Sequence, residues 1–351
     1  MPNNIEIAGR AIGPDQPPYL IAEMSANHNG SLERALATVD SAAEAGADAI
    51  KLQTYTADTM TLDSDAPGFI INDEDSLWNG RQLYELYDEA HLPWDWHEPI
   101  MRRAAERGIA CFSSPFDETA VEFLEKLDVP AFKIASFELV DLPLVERVAQ
   151  TGKPMIMSSG MASVSEIDQA VRCARGVGND QIVLLKCTST YPATPANTNI
   201  TTIPHLAEMS QCLVGLSDHT MGCGVSVAAT ALGAVLIEKH FTLSRADGGV
   251  DSAFSMEPHE LRQLREETTR AWQSLGSITY GGVEDENASK TFRRSLYIAR
   301  DLAAGEIIDE TAVRAIRPGF GLPPQFKDAL IGRSVRKDVG RGTPVSWDLL
   351  S

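Results

Sequence analysis

The segments Val214-Gly-Leu-Ser-Asp-His-Thr220 and Leu236-Ile-Glu-Lys-His-Phe241 decide how this chain is predicted to fold. Each is a short apolar run that ends in polar and charged residues, as expected for a buried parallel strand with polar side chains at its carboxyl end. The small, apolar stretch 224–233 between them predicts a crossover helix. A right-handed strand–helix–strand unit places its two strands side by side, so His219 and His240 are predicted at neighbouring strand ends.

Two imidazoles at one rim could hold a divalent metal and leave positions open for water and substrate. The alternative is that they are ordinary polar residues at strand ends. Their position in adjacent units, flanked by Asp218, Glu238 and Lys239, favours a functional site.

The rest of the chain up to Leu275 repeats the same pattern. Eight strand–helix units fit a (β/α)8 TIM barrel better than an open doubly wound sheet, and no Gly-x-Gly-x-x-Gly follows the first strand. Strands are predicted at Tyr19–Glu23, Ala49–Gln53, Ala110–Ser113, Ala131–Ile134, Pro154–Ser158 and Ile182–Lys186, and the opening segments 214–220 and 236–241 supply the seventh and eighth strands. Helices are predicted at Leu32–Ala45, 81–90, 93–108, Glu118–Leu127, Leu142–Gln150, Val164–Arg175, His205–Ser210, 224–233 and Pro258–Leu275.

A polar, turn-rich linker at 280–290 separates the barrel domain, 1–279, from a small β-rich domain, 291–351. Strands are expected in this domain at Ser295–Ala299, Val313–Ile316 and Ile331–Val335. Some 60 residues is near the lower limit for an independent core, so the domain is expected to lean on the barrel or on another subunit.

Composition excludes several classes of function. A net charge of −19 argues against binding to nucleic acid or to an anionic membrane. No apolar run approaches the roughly 18 residues of a membrane span, and the first residues lack the pattern of a secretory signal. Five cysteines without a Cys-x-x-Cys pair indicate reduced thiols, and therefore a cytoplasmic location.

The functional site of a TIM barrel lies at the carboxyl ends of its strands. Several lysines and serines meet there in an otherwise acidic body, which predicts a phosphate cradle and a phosphorylated substrate. Glu23 is a candidate general base, or else a salt-bridge partner of Lys51. The polar strand-end residues are Glu23, Lys51, Gln53, Ser113, Ser114, Lys133, Ser136, Ser158, Lys186, Ser217, His219, Lys239 and His240.

Seven segments of the barrel domain together resemble the sialic acid synthase family. They are Ile21-Ala-Glu-Met-Ser-Ala-Asn-His-Asn-Gly-Ser31, Lys51-Leu-Gln-Thr-Tyr55, Lys133-Ile-Ala-Ser-Phe-Glu138, Ser158-Ser-Gly-Met161, Cys187-Thr-Ser-Thr-Tyr-Pro192, Gly215-Leu-Ser-Asp-His-Thr220 and Glu238-Lys-His-Phe241. The tail, with Arg293-Arg-Ser-Leu296 and Arg317-Pro-Gly-Phe-Gly321, resembles the antifreeze-like (SAF) domain that ends these synthases. Within the family, the segments 25–31 and 52–56 are most similar to the pseudaminate branch.

The resemblance implies an enzyme that condenses phosphoenolpyruvate with an open-chain amino sugar to give a nine-carbon 2-keto acid and phosphate. For the pseudaminate branch the sugar is 2,4-diacetamido-2,4,6-trideoxy-L-altrose. His219 and His240 would hold a divalent metal, with Mn²⁺ expected and Co²⁺ or Mg²⁺ possible, and Glu23 would manage the proton or water. Phosphoenolpyruvate would contact Lys51, Ser114, Lys133, Ser136, Ser158, Ser189 and Ser217. The sugar would face Gln53, Tyr191, Asp251 and Arg317.

Other interpretations remain open from the sequence. The chain could belong to the N-acetylneuraminate or legionaminate branch of the family. A Schiff-base aldolase could use Lys133, Lys186 or Lys239 as its nucleophile. A non-enzymatic carbohydrate-binding protein is the third possibility, although it would leave the lysine, glutamate and histidine set without a purpose. The resemblance also implies a domain-swapped homodimer, in which Arg317 reaches the partner's barrel.

Overall fold

A computed structural model describes residues 4–74 and 76–351. The chain forms two compact units, Met1–Leu275 and Gly276–Ser351. Throughout the described part, no helix is both long and apolar enough to cross a membrane.

The first unit is a closed barrel of eight parallel strands preceded by a short hairpin, so the predicted fold class is confirmed. The barrel closes because β10 pairs with β3 on one side and with β9 on the other. The strands are β1 (Ile5–Ile7), β2 (Arg10–Ile12), β3 (Tyr19–Glu23), β4 (Ala49–Thr54), β5 (Ala110–Pro115), β6 (Phe132–Ile134), β7 (Met155–Ser158), β8 (Ile182–Cys187), β9 (Leu213–Ser217) and β10 (Leu236–His240).

Helices follow the barrel strands, and several of them begin at side-chain caps that the sequence supplies. The side chain of Ser31 accepts a hydrogen bond from the backbone amide of Arg34, and Asp117 caps the helix that begins at Glu118 in the same way. Ser163 forms a capping box with Glu166. The helices are α1 (Leu32–Glu44), α2 (Ala57–Met60), α3 (Leu83–Ala90), α4 (His97–Glu106), α5 (Glu118–Lys126), α6 (Leu142–Ala149), α7 (Val164–Gly176), α8 (Thr202–Ser210), α9 (Gly224–Ala231) and α10 (Pro258–Ser274).

The interior of the barrel is filled by side chains and is not a channel. Ile21, Ile156 and Leu185 are fully buried there. Packing is so close at Gly215 that an added Cβ would overlap the carbonyl oxygen of Leu236, so β9 needs a glycine at this position. Access to polar groups within the barrel is therefore from the carboxyl ends of the strands.

The hairpin β1–β2 was not predicted. Its two-residue loop, Ala8-Gly9, has φ values of 50° and 81°, as in the tight turns that join antiparallel strands. Arg10 pairs with Asp48, which directly precedes β4 and also pairs with Arg265. The hairpin is thereby fixed at the amino end of the barrel, opposite the predicted site.

The second unit has its own small apolar core, which includes Leu296, Ile298, Val313 and Leu330. Its strands β11 (Ser295–Ile298) and β12 (Val313–Ile316) pair antiparallel, and α11 (Lys327–Leu330) follows them. The predicted strand Ile331–Val335 is wrong. This segment makes only single bridges, and Gly332, with φ of 87°, turns the backbone out of the extended conformation.

Candidate active site

Side chains at the carboxyl ends of the strands alternate between the barrel interior and the surrounding helices. On β10, Glu238 and His240 point inward, whereas Lys239 points outward. In the strand register His240 lies beside Glu23, and Glu23 lies beside Lys51. Four of the inward-facing polar groups thus belong to three adjacent strands.

Lys51 is the centre of a buried charged layer. Its Nζ lies 2.6 Å from Glu23 Oε2 and 3.6 Å from Glu238 Oε1, and it also donates to Ser114 Oγ at 3.3 Å. Gln53 Nε2 donates to the other oxygen of Glu23 at 3.1 Å. The predicted pairing of Glu23 with Lys51 is therefore present.

The two carboxyl groups of this layer have pKa values that are displaced in opposite directions. Burial raises the pKa of Glu23 to about 7, against the opposing effect of Lys51. Burial also acts on Glu238, but the ammonium groups of Lys133 and Lys51 outweigh it and hold its pKa below the usual value. Glu238 is therefore the permanent negative charge, and Glu23 is the group suited to exchange a proton near neutral pH.

A second lysine and several hydroxyl groups complete the polar floor. Lys133 Nζ donates to Ser158 Oγ at 2.7 Å and to the carbonyl oxygen of Ile134 at 2.8 Å. Burial lowers the pKa of Lys133. Ser217 Oγ donates to Glu238 Oε1 at 3.1 Å. Two ammonium groups surrounded by hydroxyl donors can bind a phosphorylated, carboxylated molecule.

Ser136 and Ser189 form the adjoining wall, with their Oγ atoms 2.9 Å apart. Gly160, in the loop after β7, faces both of them with φ of 48°. An added Cβ would overlap Ser136 Cβ and lie 2.9 Å from Ser189 Oγ. The absence of a side chain at Gly160 thus keeps this side of the floor open.

His219 and His240 lie together above the charged layer, with ring centroids 5.4 Å apart. The Nδ1 of His219 is 2.8 Å from the carbonyl oxygen of Thr188, so Nδ1 carries the proton and Nε2 keeps its lone pair. The Nδ1 of His240 is buried and has no hydrogen-bond partner among the described residues; Asp251 Oδ2 is 3.9 Å away. Burial lowers the pKa of both imidazoles, which favours their neutral form.

These features fit a divalent metal with two protein ligands. Neutral imidazoles with available nitrogen lone pairs are the required donors. No group of three or more His, Cys, Asp or Glu residues in the described part of the chain could hold a metal ion together. The histidine pair would therefore leave most coordination positions to water and substrate.

An aromatic wall borders the histidine pair. The ring of Tyr191 lies 4.4 Å from that of His219, 5.4 Å from that of Phe254 and 6.1 Å from that of Trp78, all between centroids. Trp78 comes from the long excursion after β4, and its Nε1 donates to the carbonyl oxygen of Val250 at 3.1 Å. This wall offers apolar surface beside the polar floor.

The other two predicted sugar contacts have different surroundings. Asp251 is buried and accepts a hydrogen bond from Ser25 Oγ, and burial raises its pKa. Arg317 follows β12 in the second unit, where it is exposed. Its role toward the sugar remains a prediction.

Sequence patterns place three further strand-end residues at the mouth of the barrel, and the structure corrects the predicted positions of their side chains. Lys239 bonds outside the barrel wall with Asp218 and the carbonyl oxygen of Thr220. Ser113 likewise points outward, to Thr54. Lys186 bonds its own strand end, at the carbonyl oxygen of Cys187.

Conversely, Glu238 lies in the candidate site beside Lys51 and Ser217, although the sequence patterns had assigned it no role. Its position two residues before His240 was the signal that could have identified it, because residues i and i+2 of a strand share a face.

Both units of the chain match models of known families. The model of the NeuB family matches residues 38–280, and the model of the SAF domain matches residues 293–351. The chain belongs to the NeuB family. The predicted resemblance to the sialic acid synthases and to their terminal domain is confirmed.

Individual relatives of this NeuB-family chain match it over most of its length. The chain is 43% identical to a pseudaminic acid synthase of Campylobacter jejuni, over 93% of this chain and 95% of that protein. Identity to a pseudaminic acid synthase of Helicobacter pylori is 41%, over 95% of this chain and 98% of that protein. A crystal structure of an N-acetylneuraminic acid synthetase from Leptospira borgpetersenii superposes with a TM-score of 0.73 at 31% identity, covering 82% of this chain and 94% of that one.

Proposed function

We propose that this NeuB-family enzyme is a pseudaminic acid synthase. It condenses phosphoenolpyruvate with 2,4-diacetamido-2,4,6-trideoxy-β-L-altropyranose and water, and it releases pseudaminate and phosphate. The observation that carries the proposal is the buried layer of Lys51, Lys133 and Glu238 directly below the histidine pair. The relatives that share 41–43% identity with the chain are named for this reaction.

Phosphoenolpyruvate occupies the polar floor in this proposal. Its phosphate and carboxylate groups need cationic and hydroxyl donors, which the buried side chains of the floor supply. The residues assigned to it are Lys51, Ser114, Lys133, Ser136, Ser158, Ser189 and Ser217. The sugar enters above them, where Gln53, Tyr191 and Asp251 border the mouth.

The chemistry joins carbon 3 of phosphoenolpyruvate to the aldehyde carbon of the open-chain sugar, while the aldehyde π bond breaks and its oxygen takes up a proton to become a hydroxyl group. Carbon 2 then becomes electron-poor, and a water molecule adds to it. Glu23 takes a proton from that water, since its pKa of about 7 suits a base at neutral pH. The tetrahedral intermediate expels phosphate by breaking the bond between carbon 2 and the bridging oxygen. Lys51 and Lys133 stabilise the phosphate throughout.

The proposal includes a divalent metal held by His219 and His240. When bound, such an ion supplies Lewis-acid polarisation of a carbonyl oxygen. Mn²⁺ is the proposed ion, with Co²⁺ or Mg²⁺ as substitutes, because the histidine pair would supply two nitrogen ligands and the others would be oxygen. Thr188 holds the proton on His219 Nδ1, so the lone pair of Nε2 would be available to such an ion.

The 6-deoxy sugar fits the aromatic wall. A methyl group in place of a hydroxyl favours apolar contact, and Trp78 and Tyr191 provide such a surface. A site built to bond the 6-hydroxyl group of N-acetylmannosamine would instead reject the deoxy sugar strongly.

We further propose that the enzyme is a domain-swapped homodimer in the cytoplasm. Arg317 of one subunit would then donate to sugar oxygens in the partner's site. Its exposure, and a guanidinium group suited to oxygen acceptors, support this role. All five cysteines are free thiols, which agrees with a reducing compartment.

A phosphate-release assay with phosphoenolpyruvate and a panel of 2-acetamido sugars tests the function. Turnover should be about 100-fold or more faster with the 2,4-diacetamido-6-deoxy altrose than with N-acetylmannosamine. Equal or faster turnover of N-acetylmannosamine would assign the enzyme to the neuraminate branch. Borohydride should trap no substrate, because the proposed reaction forms no imine at Lys133.

A further inference from the structure

A buried ion pair lies outside the barrel wall, between β9, β10 and α9, and the proposed chemistry does not use it. Lys239 Nζ is 3.1 Å from Asp218 Oδ2, and the two side chains are 2% and 0% exposed. Each residue is the chain neighbour of one of the two histidines, since Asp218 precedes His219 and Lys239 precedes His240.

Asp218 organises the turn that follows β9. Its Oδ1 accepts the backbone amide of Thr220 at 2.9 Å and the Thr220 hydroxyl at 2.7 Å. Its Oδ2 accepts the hydroxyl of Ser226, on α9, at 2.6 Å. Residues 218–220 are therefore held as a unit, and His219 is in the middle of that unit.

Lys239 ties this turn to the next strand. Its ammonium group donates to the carbonyl oxygen of Thr220 as well as pairing with Asp218. The bond crosses from the residue after His219 to the residue before His240. The backbones that carry the two imidazoles are thus connected beyond the point where the strand ladder ends at Ser217 and Glu238.

Burying such a pair is a poor means of gaining stability. Removing two charges from water is expensive, and apolar residues of the same volume often give an equal or greater free energy of unfolding. What a fully hydrogen-bonded pair supplies is a fixed geometry for the groups attached to it. The attached groups here are the two candidate metal ligands.

We infer that Asp218 and Lys239 are positioning residues that hold His219 and His240 at the separation needed to bind one metal ion. The inference rests on the proposed metal role of the two histidines. Asp218 and Lys239 pair outside the barrel wall, so they would act through the two histidines and not by contact with a substrate.

The test is Mn²⁺ binding to the metal-free enzyme without substrates, followed by electron paramagnetic resonance of free Mn²⁺. Lys239→Met is the first variant, because Asp218 keeps its Thr220 and Ser226 donors. We expect the dissociation constant for Mn²⁺ to rise about 10- to 100-fold, the usual effect of removing support from a metal ligand. The affinity for phosphoenolpyruvate should change less than about 2-fold.

The double variant Asp218→Asn with Lys239→Met distinguishes an effect on the positions of the two histidines from an effect on the stability of the fold. It buries no unpaired charge, so its melting temperature should return toward that of the wild type while Mn²⁺ binding remains weak. Recovery of both quantities together would overturn the inference. Arg265→Met, at the opposite end of the barrel, removes one arginine from a partly buried ion pair and is the control; it should lower the melting temperature without weakening Mn²⁺ binding.

Should Lys239→Met not fold, Ser226→Ala gives a milder test. It removes one hydroxyl donor from Asp218, and Thr230→Val removes a hydroxyl one turn further along α9 that donates to the helix backbone at the carbonyl oxygen of Ser226. Mn²⁺ binding should weaken measurably in Ser226→Ala and not in Thr230→Val, and equal affinities would overturn the inference. A wild-type enzyme that binds no Mn²⁺ would instead refute the metal role, and the inference with it.

Discussion

The ammonium group of Lys51 lies 2.6 Å from a carboxylate oxygen of Glu23, and both side chains are almost completely buried. Burial and charge act against each other in this pair. Desolvation would lower the pKa of Lys51, but the two carboxylates beside it raise it instead. At Glu23, burial and the neighbouring Glu238 outweigh the opposing effects of Lys51 and Lys133, so the pKa of this carboxyl group rises. The site thus combines a fixed positive charge with a carboxyl group that changes its charge near neutral pH.

The pH dependence of the reaction should report this carboxyl group. Glu23 acts as a base only when ionised, so kcat/KM should fall as the pH decreases through about 7. Glu23→Gln should lose this limb and slow turnover by about 10²- to 10⁴-fold. Glu208→Gln, an exposed carboxyl group on α8, is the control and should keep both the limb and the rate. If kcat/KM of Glu23→Gln still falls as the pH decreases through about 7, the titrating group is not Glu23.

The same shift affects stability with a definite sign. The folded carboxyl group binds its proton more tightly than the unfolded one, whose pKa is about 4.3. Its contribution to stability is therefore complete below about pH 4.3 and is lost as the pH rises through about 7. Urea unfolding at several pH values should show this loss in the wild type and not in Glu23→Gln.

Metal removal should abolish activity. A chelator is expected to inactivate the enzyme, and added Mn²⁺ or Co²⁺ should restore it. His219→Ala and His240→Ala should fold and yet retain less than about 1% of the activity, because the removed imidazole supplies half of the protein ligands. His205→Ala, an exposed histidine on α8, should be unaffected. Full activity of either site variant in the presence of chelator would refute the metal assignment.

Isotope labelling should locate the broken bond. Phosphoenolpyruvate carrying ¹⁸O at its bridging oxygen should deliver the label to inorganic phosphate, because water adds at carbon 2 and the whole phosphate group leaves. Mass spectrometry of the two products measures the outcome. Label retained in the keto acid would mean that water attacks phosphorus instead.

Crowding the polar floor should weaken binding of phosphoenolpyruvate. Gly160→Ala places a methyl group against Ser136 and Ser189, and overpacking of this kind costs about 1–3 kcal/mol. We expect the KM for phosphoenolpyruvate to rise at least about 10-fold, with a smaller change in the KM for the sugar. Gly152→Ala is the matched control, because Gly152 also has a positive φ, 70°, but faces open space. If the KM for phosphoenolpyruvate rises equally in the two variants, backbone strain is responsible for the increase, and crowding of Ser136 and Ser189 is not.

Complementation should reveal the exchange of second units between subunits. His219→Ala and Arg317→Ala, each inactive alone, are refolded together. In a swapped heterodimer one barrel keeps both histidines and receives Arg317 from its partner. Random pairing should then restore roughly a quarter of the wild-type activity. If heterodimers form without any rescue, Arg317 does not act across the dimer.

The arrangement of the barrel was predictable because it follows from local patterns. Short apolar runs with polar ends, separated by capped helices, indicate parallel strands whose carboxyl ends share one rim. This reasoning brought His219 and His240 together, and the structure places their rings 5.4 Å apart. The hairpin β1–β2 escaped detection because each strand has only three residues, although the loop Ala8-Gly9 between alternating apolar residues was an available signal.

The direction of individual side chains was less predictable. Lys239 and Glu238 have similar positions in the sequence, yet one faces the helices and the other faces the interior. Applying strand alternation from His240 would have distinguished them. The sequence allowed Trp78 either to pack in the long segment after β4 or to cover the mouth of the barrel, and its contact with Tyr191 could not be predicted because it depends on the path of that segment.

The filled interior of the barrel also has a kinetic consequence. Glu238 precedes His240 by two residues, so the floor lies about 7 Å deeper than the histidines along β10. With the amino end closed by packed side chains, a molecule on the floor and one at the histidines must use the same passage. Phosphoenolpyruvate should therefore bind first, and phosphate should depart last. Steady-state kinetics should follow an ordered sequential scheme, in which phosphate competes with phosphoenolpyruvate and not with the sugar.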